Sequence, residues 1–283
     1  GRVLMQHCED PELGGGLMNA GDLATRLGLK GWPRVAEELI VERDIRLNRS
    51  QNIGCRYHAQ HLSSGGSVEL LRKARADAFG QAHVTGEVSP HHLLLTEDRC
   101  ENYDPMFKMN PPLRSQRDIN ELLEGVADGT ITILATDHAP HTREEKELEF
   151  AAAPYGIIGL ECALPLYARA LIESQTIDWP AMIAMMTAHP ARLCRLEGRG
   201  DLSPGSHADV TVIDPNDAWT IDADRFLGKS RNCPFDGWNV TGRAIAVIVG
   251  GDVKLCRDMD RITNARPGEP MLDPELAAGA AAV

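Results

Sequence analysis

The chain has 283 residues, of which 43% are hydrophobic, which is enough for one large α/β domain or two ordinary ones. Its formal net charge of −12 argues against sequence-independent binding to nucleic acid or to an anionic membrane surface. A small acidic substrate is not excluded, because it needs only a local cationic or metal site. No apolar run is long enough to span a bilayer.

The seven cysteines are scattered along the chain and never form a C-x-x-C pair. This pattern indicates reduced thiols rather than a disulfide framework or a cysteine zinc site. We therefore expect a cytoplasmic protein.

Apolar runs alternate with segments of helical spacing over residues 1–198, which predicts an α/β fold with a parallel sheet. Strands are expected at 3–5, 56–64, 82–88 and 131–135, and helices at 33–49, 67–78, 118–128, 159–174 and 179–187. In the first helix the residues near one apolar face are Val35, Leu39, Ile40 and Leu47. Because the buried-strand pattern begins at residue 3, we expect the sequence to be a piece of a longer protein.

The character of the chain changes near residue 198. A turn-rich stretch at 200–209 is followed by β-rich runs at 210–214 and 244–249. These features predict a small β-rich domain over 199–257, appended to a first domain at 1–198. Residues 258–283 are polar and then rich in Ala and Gly, so a loosely ordered tail is expected there.

Polar side chains recur where the predicted strands end, which favours a β/α barrel over a doubly wound sheet. The residues concerned are His7, His61, His91 and Asp137, with Asn110 and His141 nearby. Histidine nitrogens and a carboxylate form the ligand set of a catalytic zinc, and an acid beside the activated water can carry its proton. Two other interpretations stay open: Asp137 as a helix cap, and single strand histidines as structural residues.

Six motifs follow one another along the chain. They are His7-Cys-Glu-Asp10, Tyr57-His-Ala-Gln-His61-Leu-Ser, Glu87-Val-Ser-Pro-His-His-Leu93, Lys108-Met-Asn-Pro-Pro-Leu-Arg114, Ala135-Thr-Asp-His-Ala-Pro-His141 and Tyr155-Gly-Ile-Ile-Gly-Leu-Glu161. In these motifs, and in the β-rich end, the chain resembles the type I bacterial dihydroorotases of the amidohydrolase superfamily, from residue 1 to about residue 256. The resemblance implies a (β/α)8 TIM-type barrel, here partial with its later strands only, and a small β-rich composite domain.

The resemblance also implies a metal site of one or two zinc ions. His7 and His61 would be zinc ligands, and Asp137 would be both a ligand and the acid/base that shuttles a proton. His91 and His92 are not ligands in the family, so a structural role is expected for both.

The substrate would be held by Asn110 and His141, together with backbone groups around Tyr155 and Gly156. The implied reaction is the reversible conversion of N-carbamoyl-L-aspartate into L-dihydroorotate and water, in pyrimidine (UMP) biosynthesis. The partner is thus a small molecule, with no nucleic acid and no membrane. A homodimer or a complex with aspartate transcarbamoylase is also compatible with the family.

The chain departs from the family in its first half. The H-x-H of the first barrel strand, the bridging carboxylate of the fourth strand and the upstream Arg and Asn that bind substrate are absent from the 283 residues. We interpret the sequence as the C-terminal portion of a dihydroorotase and expect it to be inactive alone. The alternatives are another cyclic amidohydrolase (an allantoinase, or a dihydropyrimidinase or hydantoinase) and a non-catalytic, dihydroorotase-like scaffold for aspartate transcarbamoylase. The presence of His7, His61 and Asp137 favours catalysis over the scaffold.

Overall fold

A computed structural model describes residues 2–50 and 55–257. The tail predicted for 258–283 lies outside these residues. The strands are β1 (Val3–Gln6), β2 (Met18–Asn19), β3 (Gly31–Trp32), β4 (Arg56–Ala59), β5 (Val84–Val88), β6 (Ile133–Leu134), β7 (Val210–Thr220), β8 (Asn239–Val249) and β9 (Asp252–Cys256). The helices are α1 (Asp22–Leu27), α2 (Val35–Ser50), α3 (Gly65–Ala74), α4 (Ala78–His83), α5 (Pro90–Leu94), α6 (Gln116–Ala127), α7 (Arg143–Lys146), α8 (Ala163–Tyr167), α9 (Trp179–Met186) and α10 (Ala188–Cys194).

Four strands form the main sheet, in the order β1-β4-β5-β6, and every neighbouring pair is parallel. The carboxyl ends of all four strands therefore meet at one edge, where the loops that follow them come together. This is the parallel α/β arrangement that the alternation of strands and helices predicts. In the described part of the chain, no helix is both long enough and apolar enough to cross a membrane.

Helix α6 shows how the local sequence encodes an element. The Ser115 side chain accepts a hydrogen bond from the backbone N–H of Asp118, which caps the amino end of the helix. Ile119, Leu122 and Val126 follow at helical spacing and are buried. The helix packs on α3, which in turn covers the sheet.

Three predicted boundaries are wrong for local reasons. The strand predicted at 56–64 ends at Ala59, because His61 has a φ of 31° and cannot continue an extended strand. The helix predicted at 67–78 ends at Ala74, and a new helix begins after Asp77, whose carboxylate accepts the N–H of Gly80. The helix predicted at 159–174 begins only at Ala163 and continues as a π-helical turn over Ala168–Ile172, which leaves Leu160 64% exposed.

The apolar face predicted for α2 is also wrong in part. Ile40 is buried, but Leu39 and Leu47 are 43% and 53% exposed. The buried face instead includes Glu37, whose carboxylate accepts hydrogen bonds from the backbone N–H groups of Ser63 and Ser64. A polar residue with fixed partners thus replaces part of the expected apolar stripe.

Tyr167, on α8, lies at the centre of the main core. Its side chain is fully buried, and its hydroxyl oxygen lies 2.7 Å from the Val88 carbonyl oxygen and 2.6 Å from that of Ala135, so that the two carbonyls share its single hydrogen. These two residues lie at the carboxyl end of β5 and just after β6, so the hydroxyl links two neighbouring strand ends at the edge from which the loops emerge.

The C-terminal strands β7, β8 and β9 form an antiparallel sheet. A second core joins this part of the chain to the main fold, with Ile157, Cys162 and Leu166 packed with Phe235 and Val240. The small β-rich part expected at this end of the chain is therefore present as an antiparallel sheet, and it shares a core with residues 157–166.

We predict that Tyr167→Phe lowers the free energy of unfolding of the full-length protein by about 1–3 kcal/mol, because two buried carbonyl groups lose their donor. The matched control is Tyr103→Phe, since the exposed Tyr103 hydroxyl also donates to one carbonyl oxygen, that of Leu27. Denaturant titration of the three proteins measures the difference. An equal loss for both variants would contradict the role given to Tyr167.

Candidate active site

His7 and His61 face each other at the loop edge of the main sheet. His7 directly follows β1, and His61 lies two residues beyond β4, the strand paired with β1. His7 Nδ1 and His61 Nε2 are 3.0 Å apart. On the other side of its ring, His7 Nε2 lies 2.9 Å from a carboxylate oxygen of Glu9.

The Glu9 contact determines the tautomer of His7. A carboxylate can only accept, so His7 Nε2 carries the hydrogen and a neutral His7 directs its Nδ1 lone pair toward His61. A carboxylate that orients a histidine in this way is a recurrent arrangement behind metal-binding histidines. Two nitrogens on one tetrahedral zinc lie about 3.3 Å apart, and the observed separation of 3.0 Å is close to that value.

His61 is 7% exposed, and burial together with the neighbouring His7 lowers its pKa to about 4. The ring is therefore neutral at pH 7, the state in which imidazole binds a metal. Its Nδ1 is buried and has no hydrogen-bond partner.

Asp137 follows β6 with a φ of 47°. Its Oδ2 is buried without a hydrogen-bond partner, and His91 Nε2 lies 3.9 Å from it. Burial and the Glu87 carboxylate raise the pKa of Asp137 to about 6, and His7 opposes this shift. The carboxylate is thus available to a further ligand.

The predicted set of three metal ligands is only partly assembled. His7 and His61 are paired, but within residues 2–50 and 55–257 no group of three or more His, Cys, Asp or Glu side chains is arranged to hold a metal ion. The Oδ2 of Asp137, which has no hydrogen-bond partner, and the His61 ring fit a metal at this edge. The assignment of His7, His61 and Asp137 as ligands stays a prediction.

The neighbouring histidines have protein partners instead. His92 Nε2 donates to the Pro111 carbonyl oxygen, so its Nδ1 must accept from the Ser89 hydroxyl, which in turn accepts from His91 Nε2. Both rings are buried, and burial lowers the pKa of each; that of His92 falls to about 3. His58 lies between Thr85 and the Glu87 carboxylate in the same manner. These contacts fit the structural roles expected for His91 and His92.

Asn110 is linked to the histidine pair through Glu9. Its Nδ2 donates to the same Glu9 oxygen that accepts from His7, at 3.1 Å, and its Oδ1 is buried without a partner. One carboxylate therefore holds a predicted metal ligand and a predicted substrate ligand, and it leaves an amide oxygen available.

His141, Tyr155 and Gly156 lie together on two adjoining loops. His141 Nε2 donates to the Tyr155 carbonyl oxygen at 2.8 Å, and its Nδ1 lies 3.5 Å from Glu145. Gly156 has a φ of 152°, and a Cβ there would stand 2.7 Å from the His141 ring. The Gly156 N–H donates to the Lys108 carbonyl oxygen. Several polar groups of these residues thus have protein partners, and a bound substrate would replace some of these partners.

Two buried lysines hold this loop from behind. Lys108 Nζ donates to the carbonyl oxygens of Ala151 and Ala153, and Lys146 Nζ donates to those of Pro154 and Gly156. Burial lowers the pKa of Lys146 to about 8, the charge of Lys108 adds to the shift, and Asp104 opposes it.

Sequence reasoning missed the roles of Glu9, Lys108 and Lys146. Glu9 and Lys108 lie inside the motifs quoted above. Glu9 follows His7 by two residues, a spacing that could have indicated that both side chains lie at the same edge of the sheet. No comparable signal marks Lys146.

Comparison with known proteins shows which proteins the chain resembles. The profile of the amidohydrolase family matches residues 116–253. Among solved structures, the L-hydantoinase (dihydropyrimidinase) from Arthrobacter aurescens is similar with a TM-score of 0.78 and 28% identity, over 90% of this chain and 57% of that one. A D-hydantoinase (dihydropyrimidinase) from Thermus sp. has a TM-score of 0.76, 25% identity and the same coverage. The chain therefore has part of the amidohydrolase barrel fold and is similar in sequence to the amidohydrolase family.

The matches to curated relatives point to a narrower group of proteins. A dihydroorotase from Pelotomaculum thermopropionicum is 46% identical over 256 residues, and one from Syntrophotalea carbinolica is 47% identical over 251 residues. These matches cover 90% and 88% of this chain, and 58% and 57% of the relatives. The resemblance to dihydroorotases is thereby confirmed, and the chain spans somewhat more than half the length of these relatives.

The buried Lys146 predicts a pH dependence of stability. Between pH 8 and 10.5 the folded chain releases the proton that the unfolded chain keeps, so this lysine makes the free energy of unfolding rise with pH. The free energy of unfolding of the wild type minus that of Lys146→Met should therefore increase from about pH 7.5 to about pH 9.5. Lys254→Met, at an exposed position on β9, controls for loss of a lysine. Denaturant titrations at several pH values give the result, and a constant difference for Lys146→Met would refute it.

Proposed function

We propose that the protein carrying this chain is a metal-dependent cyclic amidohydrolase that interconverts N-carbamoyl-L-aspartate and L-dihydroorotate. The observation that carries the proposal is the pair of imidazole nitrogens, 3.0 Å apart and oriented by Glu9, together with the Asp137 carboxylate oxygen that has no partner at the same edge of the sheet. The identity of 46–47% to proteins named dihydroorotase supports the choice of substrate.

The metal would be held by His7 through Nδ1, by His61 through Nε2 and by the Asp137 carboxylate. Neutral imidazoles and a carboxylate suit Zn²⁺, as one ion or two. When bound, such an ion supplies polarisation of a carbonyl and a water of lowered pKa.

Asp137 would carry the proton. In hydrolysis its carboxylate takes a proton from the attacking water and delivers it to the ring nitrogen as the amide bond breaks; in ring closure the transfers run in reverse. Its Oδ2 suits this task because no protein donor occupies it.

The substrate would lie between Asn110 and the loops of His141, Tyr155 and Gly156. The partnerless Oδ1 of Asn110 offers an acceptor to a ring or carbamoyl N–H. His141 would donate a hydrogen bond to the substrate carboxylate. This bond would replace its present contact with Glu145 or with the Tyr155 carbonyl oxygen.

A role in pyrimidine biosynthesis, a cytoplasmic location and association as a homodimer or with aspartate transcarbamoylase belong to the same proposal. They follow from the substrate and from the resemblance to dihydroorotases.

The second candidate is hydantoinase or dihydropyrimidinase activity, which the likeness to the two solved hydantoinases favours. Turnover of dihydroorotate, allantoin and dihydrouracil by the full-length, zinc-loaded protein separates the candidates. We expect the highest kcat/KM for dihydroorotate. A higher kcat/KM for another ring would show that dihydroorotate is not the substrate. Zinc binding without any turnover would favour the non-catalytic scaffold.

We predict that Asp137→Asn in the full-length protein keeps its zinc and loses about 10²–10⁴-fold in turnover. Asn retains one oxygen donor but cannot carry the proton, and general acid–base catalysis is typically worth about that factor. The backbone should tolerate the change, because Asn adopts positive φ readily. Asp252→Asn, at an exposed position, is the control. Elemental analysis and turnover are measured on the same samples, and near-normal turnover in a zinc-loaded variant would remove Asp137 from proton transfer.

A further inference from the structure

Asn232 lies in the loop that precedes β8, and its side chain is 2% exposed. Its Nδ2 donates to the carbonyl oxygens of Ala139 (2.8 Å) and Gly156 (3.1 Å), and its Oδ1 accepts from the backbone N–H of His141 (3.2 Å). The amide thus makes three hydrogen bonds, each to backbone of the loops that carry the proposed substrate ligands.

The main chain of Asn232 adds a fourth link. Its carbonyl oxygen accepts from the N–H of Ile158, which lies two residues beyond Gly156. Asn232 therefore joins the segment after Asp137 to the segment after Tyr155. The same junction is also crossed by the contact of the His141 ring with the Tyr155 carbonyl oxygen and by the His138 ring, whose Nδ1 accepts from the N–H groups of Gly159 and Leu160.

The loop that carries Asn232 is itself held at both ends. The Glu161 carboxylate accepts from the N–H groups of Leu227 and Gly228, at 2.9 Å each. On the other side, Cys233 and Phe235 are buried in the second core. A side chain on so firmly anchored a loop can impose one geometry on its partners.

We propose that Asn232 is a positioning residue for substrate binding. It fixes His141 and Gly156 relative to each other and acts through them, without contacting the substrate itself. Its amide is suited to this because one group donates to two carbonyls while the other accepts from an N–H, an arrangement that neither Asp nor Leu reproduces. The proposal rests on the proposed function, since it assumes that these loops bind the substrate.

The first test compares Asn232→Ala with Asn239→Ala in the full-length, zinc-loaded protein. Asn239 lies on the small sheet, and its side chain accepts from Thr220. We expect Asn232→Ala to raise the KM for dihydroorotate about tenfold with kcat changed much less, the pattern of lost binding rather than lost chemistry. Zinc content should equal that of wild type. Folded variants with equal KM values would overturn the inference.

The second test distinguishes positioning from a general loss of stability. Asn232→Asp keeps the acceptor for the His141 N–H but turns an oxygen toward the carbonyls of Ala139 and Gly156. We expect it to raise KM at least as much as Asn232→Ala does. In a His141→Ala background the same change should raise KM by a smaller factor, because part of its effect passes through His141.

An equal fold-change in KM in both backgrounds would overturn the inference even if Asn232→Ala does not fold. Should wild type prefer another cyclic amide, the same cycle is measured with that substrate. If it turned over none of the three rings, the proposed function would fail and this inference with it, whereas an active wild type with unaltered variants would overturn the inference alone.

Discussion

The hydrogen bond between His7 and Glu9 determines the tautomer and the orientation of His7, on which the candidate metal site depends. It holds the hydrogen on Nε2, so that the Nδ1 lone pair of a neutral His7 meets Nε2 of His61. The same carboxylate oxygen accepts from Asn110, so a change at Glu9 would disturb the candidate metal site and the candidate substrate site together. The parallel pairing of β1 with β4 brings the two histidines to one edge, and Glu9 gives them their orientation.

A second set of contacts supports the loops that face this edge. Lys108, Lys146 and Asn232 are buried and donate to backbone carbonyls of residues 139 and 151–156. Asn232 comes from the chain between β7 and β8, which shares a core with residues 157–166. The β-rich end of the chain therefore contributes to the geometry of the candidate site, and we expect changes in its packing to alter substrate binding.

The parallel sheet and the polar residues at the ends of its strands could be predicted, because buried strands are apolar runs and polar residues follow directly where these runs end. The roles of Glu9 and Asn232 could not. Asn232 is 91 residues from His141 in the chain, and no periodic pattern reports a hydrogen bond between such distant segments. The buried face of α2 was misjudged for a related reason, since Glu37 is buried through its contacts with Ser63 and Ser64.

The central claim is that His7 and His61 bind one metal ion at the loop edge. Anomalous diffraction at the zinc absorption edge, from crystals of the zinc-loaded full-length protein, tests it most directly. The account predicts a peak about 2.0–2.1 Å from His7 Nδ1 and from His61 Nε2, with the Asp137 carboxylate as a further ligand. A zinc-loaded crystal in which these two nitrogens remain hydrogen-bonded to each other, with the ion bound elsewhere, would contradict it.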